Sequence, residues 1–233
     1  MRRCHWIRRR IQWIVTCTIR CDLAVRLSTY LASLHPSRLS FSKMRSDDLY
    51  KLPPDLPVPQ DDGACDHLKG IKLPRLVLVS TGGRRVDLSV LKGRTVVYCY
   101  PRTGRPDQEM PPGWNEIPGA RGCTPQSCAF RDHYQELKRS GAAEVFGLST
   151  QDTDYQREAA ERMHLPFELL SDEKLELARA LKLPTFEVAG MTLIKRLTLI
   201  VRDGVIEHVF YPVFPSDRNA GDVLDWLAAK SGP

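Results

Sequence analysis

From about residue 71 onward, apolar and polar positions fall into short blocks whose period changes several times along the chain. "RLVLVST" (75–81) is a strand candidate, "GGRRVDLSVLKGR" (82–94) a turn and connector, and "TVVYCYP" (95–101) a continuous apolar run of buried-strand character closed by proline. The period then lengthens. Phe130, Tyr134 and Leu137 recur at helical spacing, which predicts a helix over 124–139 that Gly141 ends. "AEVFGLST" (143–150) predicts a strand, residues 152–163 a charged helix, "FELLSD" (167–172) a further short element, and residues 173–182 another helix. "LIKRLTLIVRDGVIEHVFYPV" reads as a β-hairpin around Asp203-Gly204, and "SDRNAGDVLDWLAAK" as a terminal helix with Ser216 or Asp217 as its N-cap. Strands alternating with helices, then a hairpin and a last helix, indicate an α/β domain with a mixed sheet.

Two stretches depart from this rhythm. Residues 102–122, "RTGRPDQEMPPGWNEIPGARG", carry four prolines and four glycines and read as a long loop, a kind of segment that is uncommon inside a compact domain and often functional. Residues 1–43 form a basic leader whose apolar stretch, Ile11 to Ile19, spans roughly 14 Å as helix, about half a bilayer core, and so is no transmembrane helix. It fits a signal or transit segment loosely, or sequence upstream of a true start at Met44. The expected organisation is a leader (1–43), an acidic, proline-rich extension (44–69), and a domain over 70–233 with the loop 102–122 inserted in it.

Composition adds little until charge is divided along the chain. The 233 residues are 42% hydrophobic and 27% charged, ordinary for a globular domain with its own core. The net charge of +6 lies in the leader: residues 1–43 hold nine Lys+Arg and one acid, whereas 44–233 hold 25 and 27. The expected folded part is therefore slightly acidic, which argues against a nucleic-acid partner. Seven cysteines, irregularly spaced, do not make a disulfide scaffold, and a reducing compartment is the default; the expectation is cytoplasmic, without stable membrane association, as a monomer or weak dimer. No Gly-rich phosphate-binding motif is present, and His67, His133, His164 and His208 form no triad or metal spacing.

The chemistry concentrates in "RGCTPQSCAFRD" (121–132), where Cys123 and Cys128 stand five positions apart. A structural zinc needs four ligands, and only His133 lies nearby. A static disulfide fails on geometry: five helical residues separate the Cα atoms by roughly 8 to 9 Å, against about 4.4 to 6.8 Å for a bridge. The first turn would have to unwind, which Pro125 tolerates. A helix N-terminus, with Arg121 two residues away, favours the ionised thiol at Cys123, while Cys128 sits deeper. Two unrelated core thiols remain an equally simple reading of the pair taken alone.

"TVVYCYP", "GCTPQSCAFRD", "GLSTQD", "LLSD", "IKRLTLIVRDGVIEHVF" and "VLDWLAAK" together resemble the peroxiredoxins, in particular the bacterioferritin comigratory protein or Q-type class. The similarity runs from about Gly70 to Lys230. The resemblance implies a thioredoxin-like fold and a thiol peroxidase acting on H2O2 or organic hydroperoxides. Cys123 would be the peroxidatic cysteine and Cys128 the resolving one in the same chain. Pro101 would shield the thiolate and Arg196 would hold thiolate and peroxide together. Thioredoxin or glutaredoxin would serve as reductant, and no metal or organic cofactor would be needed.

One departure is substantial. The family spaces its proline and peroxidatic cysteine closely, with a threonine three positions before the cysteine; here 21 residues separate Pro101 from Cys123, and Ala120 occupies that slot. Thr103 is the candidate to replace the threonine, and Thr124 reads as a local helix-start hydroxyl. Trp114 either caps the thiol pocket or anchors the insertion, and Cys65 and Cys99 are ordinary thiols held in reserve as alternative resolvers. The competing readings are a thioredoxin-like thiol-disulfide oxidoreductase and a redox sensor acting on protein partners.

Overall fold

The computed structural model describes residues 48–230; the basic leader lies outside the described residues. Strands β1 (Val77–Ser80), β2 (Arg85–Asp87) and β3 (Arg94–Cys99) precede the long loop. Helices α1 (Cys123–Asp132) and α2 (Tyr134–Arg139) lead into β4 (Ala142–Ser149), α3 (Thr153–Arg162), β5 (Leu169–Ser171) and α4 (Glu176–Leu181). A small hairpin, β6 (Thr185–Val188) and β7 (Met191–Ile194), comes before β8 (Leu197–Arg202), β9 (Val205–Phe210) and α5 (Asn219–Lys230). The main sheet has the order β2-β1-β5-β4-β3-β8-β9. Its β3–β4 and β4–β5 pairs are parallel and the others antiparallel, the mixed α/β architecture expected.

β3 lies between β4 and β8, and its two-residue alternation feeds two cores. Val97 and Cys99 join Phe146, Leu148, Leu199 and Val201 on one face, closed by Leu177, Ala178 and Leu181 of α4 and by Cys65 and Leu68 of the extension. Val96, Tyr98 and Tyr100 join Val145 and Ile200 on the other, closed by Phe130, Leu137, Val223 and Leu227 of α1, α2 and α5. Burial on both faces is why β3 reads as an unbroken apolar run rather than an alternating one. Cys123, at the first residue of α1, belongs to the second face.

The extension is fastened at Asp62, whose carboxylate accepts from Lys195 Nζ and from Tyr211 Oη, both at 2.8 Å. The Lys195 bond, followed by that of Tyr211, holds this carboxyl down at about 2. A folded-state value below the unfolded one means that the tie is complete above the ordinary carboxylate range and is lost as pH falls from about 4 to about 2.

Three local expectations need correction, and one hairpin was not anticipated. The segment 82–94 contains a strand, β2, which pairs with β1 from Val77↔Asp87 to Val79↔Arg85. The helix over 124–139 is two helices, interrupted at His133, where ψ of 3° leaves the helical range while Phe130 and Leu137 both stay buried. The hairpin β6–β7, which turns through Ala189 and Gly190 at positive φ, left no burial pattern because β6 has no fully buried side chain. The terminal helix has no side-chain cap from Ser216 or Asp217: residues Ser216–Arg218 form a 3-10 turn entered from Pro215, and Ser216 is buried against α1.

The long loop is irregular apart from a 3-10 turn at Trp114–Glu116, yet it is not loosely attached. Trp114 and Ala120, with Met110 and Ile117, form a small core against Phe186, Val188, Met191 and Leu193 of β6–β7. The unread hairpin is thus the platform on which the insertion rests.

On β4, Gly147 makes room for the Tyr98 ring: a Cβ there would sit 2.5 Å from Leu169 Cδ2 and 2.7 Å from Tyr98 Cζ. Gly147→Ala is expected to lower stability by about 1–3 kcal/mol, the usual cost of overpacking a tight core. Urea unfolding of the two proteins checks it, and a loss under about 0.5 kcal/mol would mean that Tyr98 has slack to move.

Candidate active site

Gly122 positions the thiol. Its φ of 104° turns the chain from the insertion into α1, and a Cβ there would meet Ser216 Oγ at 2.2 Å and Leu52 Cδ2 at 2.7 Å. Both the left-handed backbone and the lack of space require glycine. Cys123 follows at 3% exposure. Its thiol donates to the Ala120 carbonyl at 3.6 Å and accepts from Arg196 Nη2 at 3.1 Å.

Arg196, in the turn between β7 and β8, is also 3% exposed. Its Nε donates to Gly119 O at 3.2 Å, and Nη2 also reaches Ala120 O at 3.1 Å and Arg121 O at 3.2 Å. Nη1 donates to Gln126 Oε1. Gln126 Nε2 in turn donates to Asn219 Oδ1 at 2.9 Å, and Thr198 Oγ1 donates to the same oxygen at 2.7 Å. Strand β8, helix α1, helix α5 and the end of the insertion therefore converge on one guanidinium. All its oxygen acceptors are neutral, and among the described residues no carboxylate pairs with it. A buried cation without a carboxylate is costly, and the Cys123 sulfur at 3.1 Å is the side-chain atom other than Gln126 Oε1 that faces it.

The cleft over Cys123 is lined by Leu49, Arg102, Gly104, Met110, Trp114, Arg121 and Thr124 and offers about 10 Å³, the space of roughly one water molecule. A second, more apolar hollow of about 390 Å³ is lined by Gly119 and Arg196 but not by Cys123.

The sequence-level candidates are distributed as follows. Cys123 and Arg196 meet. Cys128 lies in the same intact α1, partly exposed, and burial pushes its thiol up from the ordinary range; both thiols are free. Pro101 is buried where β3 ends, outside the residues that line the cleft. Thr103 is fully buried and does not face the cleft: its hydroxyl donates to Gln151 Oε1 at 3.0 Å, and its carbonyl accepts from Tyr155 Oη at 3.1 Å. Thr124, which the sequence assigns to the helix start, lines the cleft instead. Trp114 fills both roles, anchor of the insertion and wall of the cleft.

Gln126 and Asn219 were missed by sequence reasoning. Gln126 stands three residues after Cys123, hence on the same helical face, and that spacing was a usable signal. Asn219, 93 positions beyond Gln126, gave none. The histidines serve packing and surface contacts: His67 bonds the Leu181 carbonyl, His133 pairs with Glu136, and His208 stacks on Trp226. Among the described residues no group of three or more His, Cys, Asp or Glu side chains is placed to hold a metal ion.

A thioredoxin-like mixed sheet carrying a buried cysteine at a helix start, with an arginine on its sulfur, defines a thiol-active member of that fold class. The chain belongs to the Redoxin family, whose model matches residues 68–224. Among curated relatives, the peroxiredoxin Q of Oryza sativa subsp. japonica, named chloroplastic, is 35% identical over 161 residues, 68% of this chain and 66% of the relative. That of Sedum lineare, also named chloroplastic, is 32% identical over 75% of this chain and 85% of the relative. The chain thus spans just under two thirds of the rice relative's length. The crystal structure of peroxidoxin BcpB from Mycobacterium tuberculosis superposes with a TM-score of 0.56 at 26% identity, covering 71% of this chain and all of that one. The expected resemblance to Q-type peroxiredoxins and the expected fold are borne out. The cytoplasmic expectation is not: it rested on cysteine usage alone, which identifies a reducing environment but not a compartment, and these plant relatives are named as chloroplast proteins.

Cys65 and Cys99 lie on the far face of the sheet from Cys123. Burial, then the carboxylates of Asp62, Asp61 and Asp66, raise Cys65 to about 12, and burial raises Cys99 still further. At pH 8 both therefore remain thiols. Iodoacetamide at that pH is expected to modify Cys128, the partly exposed thiol, well ahead of Cys65 and Cys99 in the folded, reduced protein. Peptide mass mapping checks this, and labelling of Cys99 at the rate of Cys128 would contradict the assigned burial.

Proposed function

We propose that the protein is a thiol-dependent peroxidase that reduces H2O2 or organic hydroperoxides through Cys123. The observation that carries this reading is Arg196 Nη2 at 3.1 Å from Cys123 Sγ, the guanidinium buried and without a carboxylate among the described residues. The Cys123 thiolate attacks the terminal peroxide oxygen; the S–O bond forms as the O–O bond breaks, and the leaving oxygen departs with the electron pair and takes a proton from solvent. Sulfur is oxidised by two electrons to sulfenic acid and the peroxide is reduced to water or alcohol. Arg196 stabilises the charge that builds on the leaving oxygen, with Gln126 and Asn219 holding the guanidinium in place.

Resolution falls to Cys128. Its thiol attacks the sulfenic sulfur, the disulfide forms, and hydroxide leaves as water. The intact α1 keeps the two sulfurs apart, so the first turn unwinds before the bond closes. Cys65 and Cys99, beyond the sheet, are poor substitutes. A dithiol protein of the thioredoxin or glutaredoxin type then restores both thiols by exchange. Pro101 limits water near the site from the end of β3, and Thr103 acts indirectly by fixing the start of the insertion. The names of the relatives, together with a leader rich in arginine and almost free of acids, support a plastid as the place of action.

Stopped-flow peroxide reduction tests the scheme. Cys123→Ser is expected to lose turnover by about 10³-fold or more, and Arg196→Met by about 10²-fold or more. Cys128→Ser is expected to complete one oxidation and accumulate a sulfenic acid that dimedone traps. Wild-type turnover in Cys123→Ser would overturn the reading.

A further inference from the structure

The cleft above Cys123 has the space of about one water molecule, so the body of any organic hydroperoxide must rest on its rim. That rim is partly apolar, with Leu49, Met110 and Trp114, and partly cationic, with Arg102 and Arg121. Arg102 is held by its π-contact, 4.5 Å above the Tyr155 ring, and by a weak contact of Nη1 with Met191 Sδ at 3.7 Å. Among the described residues it pairs with no carboxylate.

The neighbouring charges do not supply one. Arg105 lies over the same Tyr155 ring at 4.1 Å, and its Nε has no hydrogen-bond partner. It shares Glu158 with Arg162, at 3.6 Å and 2.7 Å respectively. Arg162 also donates to the carbonyl of Gly104, itself part of the cleft wall. Three guanidiniums on this side of the cleft thus have one carboxylate between them. A half-buried guanidinium with an unused donor fork is suited to a carboxylate or another oxyanion.

We infer that Arg102 is a specificity-determining residue that selects hydroperoxides bearing a negative charge a few atoms from the O–OH group, in preference to their neutral counterparts. The inference rests on the peroxidase reading. The anionic group docks on Arg102, the short apolar body crosses Met110 and Trp114, and the O–OH group enters the cleft towards Cys123 and Arg196. The chemistry is that already described, with the alcohol product retaining its carboxylate. Because the interaction is electrostatic at a partly exposed site, salt weakens it.

The test uses a carboxylate-bearing alkyl hydroperoxide and its methyl ester, with H2O2 as a third substrate, in single-turnover oxidation of the full chain. Wild type is expected to favour the carboxylate over the ester in kcat/KM by about tenfold at low salt, with the preference shrinking as ionic strength rises. Arg102→Gln is expected to bring that ratio close to one, and Arg102→Lys to restore part of it. A wild-type ratio near one, or a ratio that survives in Arg102→Gln, overturns the inference while leaving the peroxidase intact. If Arg102→Gln slows only the later reduction by a dithiol protein, Arg102 docks an acidic protein surface and the inference fails. Failure to consume H2O2 and the ester as well would instead overturn the peroxidase reading on which it rests.

Discussion

Arg196 is a cation taken out of water and surrounded by neutral oxygens. Removing a guanidinium from solvent costs several kcal/mol even after relaxation, and carbonyl dipoles recover only part of that. What remains is an electrostatic preference for electron-rich neighbours, and Cys123 Sγ is held against it at 3.1 Å. The surrounding structure follows from keeping these two side chains in register. Asn219 fixes Gln126, Gln126 fixes one guanidinium nitrogen, and Gly119, Ala120 and Arg121 fix the others. Gly122 then turns the chain at an angle that leaves no room for a side chain, so that sulfur and guanidinium face each other.

The insertion looks in sequence like an interruption of the site and in structure is part of it. Its first residues wall the cleft through Arg102 and Gly104, its middle packs Trp114 on the β6–β7 hairpin, and its last residues supply the carbonyls that hold Arg196. Twenty-one residues are a long path between the end of β3 and the start of α1, and loop closure alone makes such a path entropically unfavourable. The small core on the hairpin offsets that cost with buried apolar contacts. It also converts a flexible connection into a fixed wall, which a site dependent on ångström-scale placement requires.

Most of the architecture was legible because burial leaves a periodic trace. β3 showed as an apolar run because both its faces are covered, and the Asp203-Gly204 hairpin showed because its turn needs those residue types. β2 and the β6–β7 hairpin did not show, since β2 buries one side chain and β6 none, too few to leave a burial pattern. The site divided along a similar line. Cys123, Cys128 and Arg196 stood out by residue type and local company. Thr103 stood out by residue type and its place at the start of the loop, and the structure gives its hydroxyl to Gln151, while Thr124, read as a local helix-start hydroxyl, borders the cleft. Asn219 acts on the site from α5 through contacts that no local pattern encodes.

The sheet has one more consequence, for the economy of oxidising equivalents. Four described cysteines share one small domain, yet β3 sends Cys99 to the face opposite Cys123, and Cys65 packs on that same far side. Burial holds both as protonated thiols, poor partners for exchange. The sheet therefore works as an insulator. The proposed route of oxidation, from the cleft along α1 to Cys128, stays on one side of the sheet, and the thiols of the far core lie off that circuit. The proposed unwinding of the helix start is thereby separated from the core on the far face of the sheet.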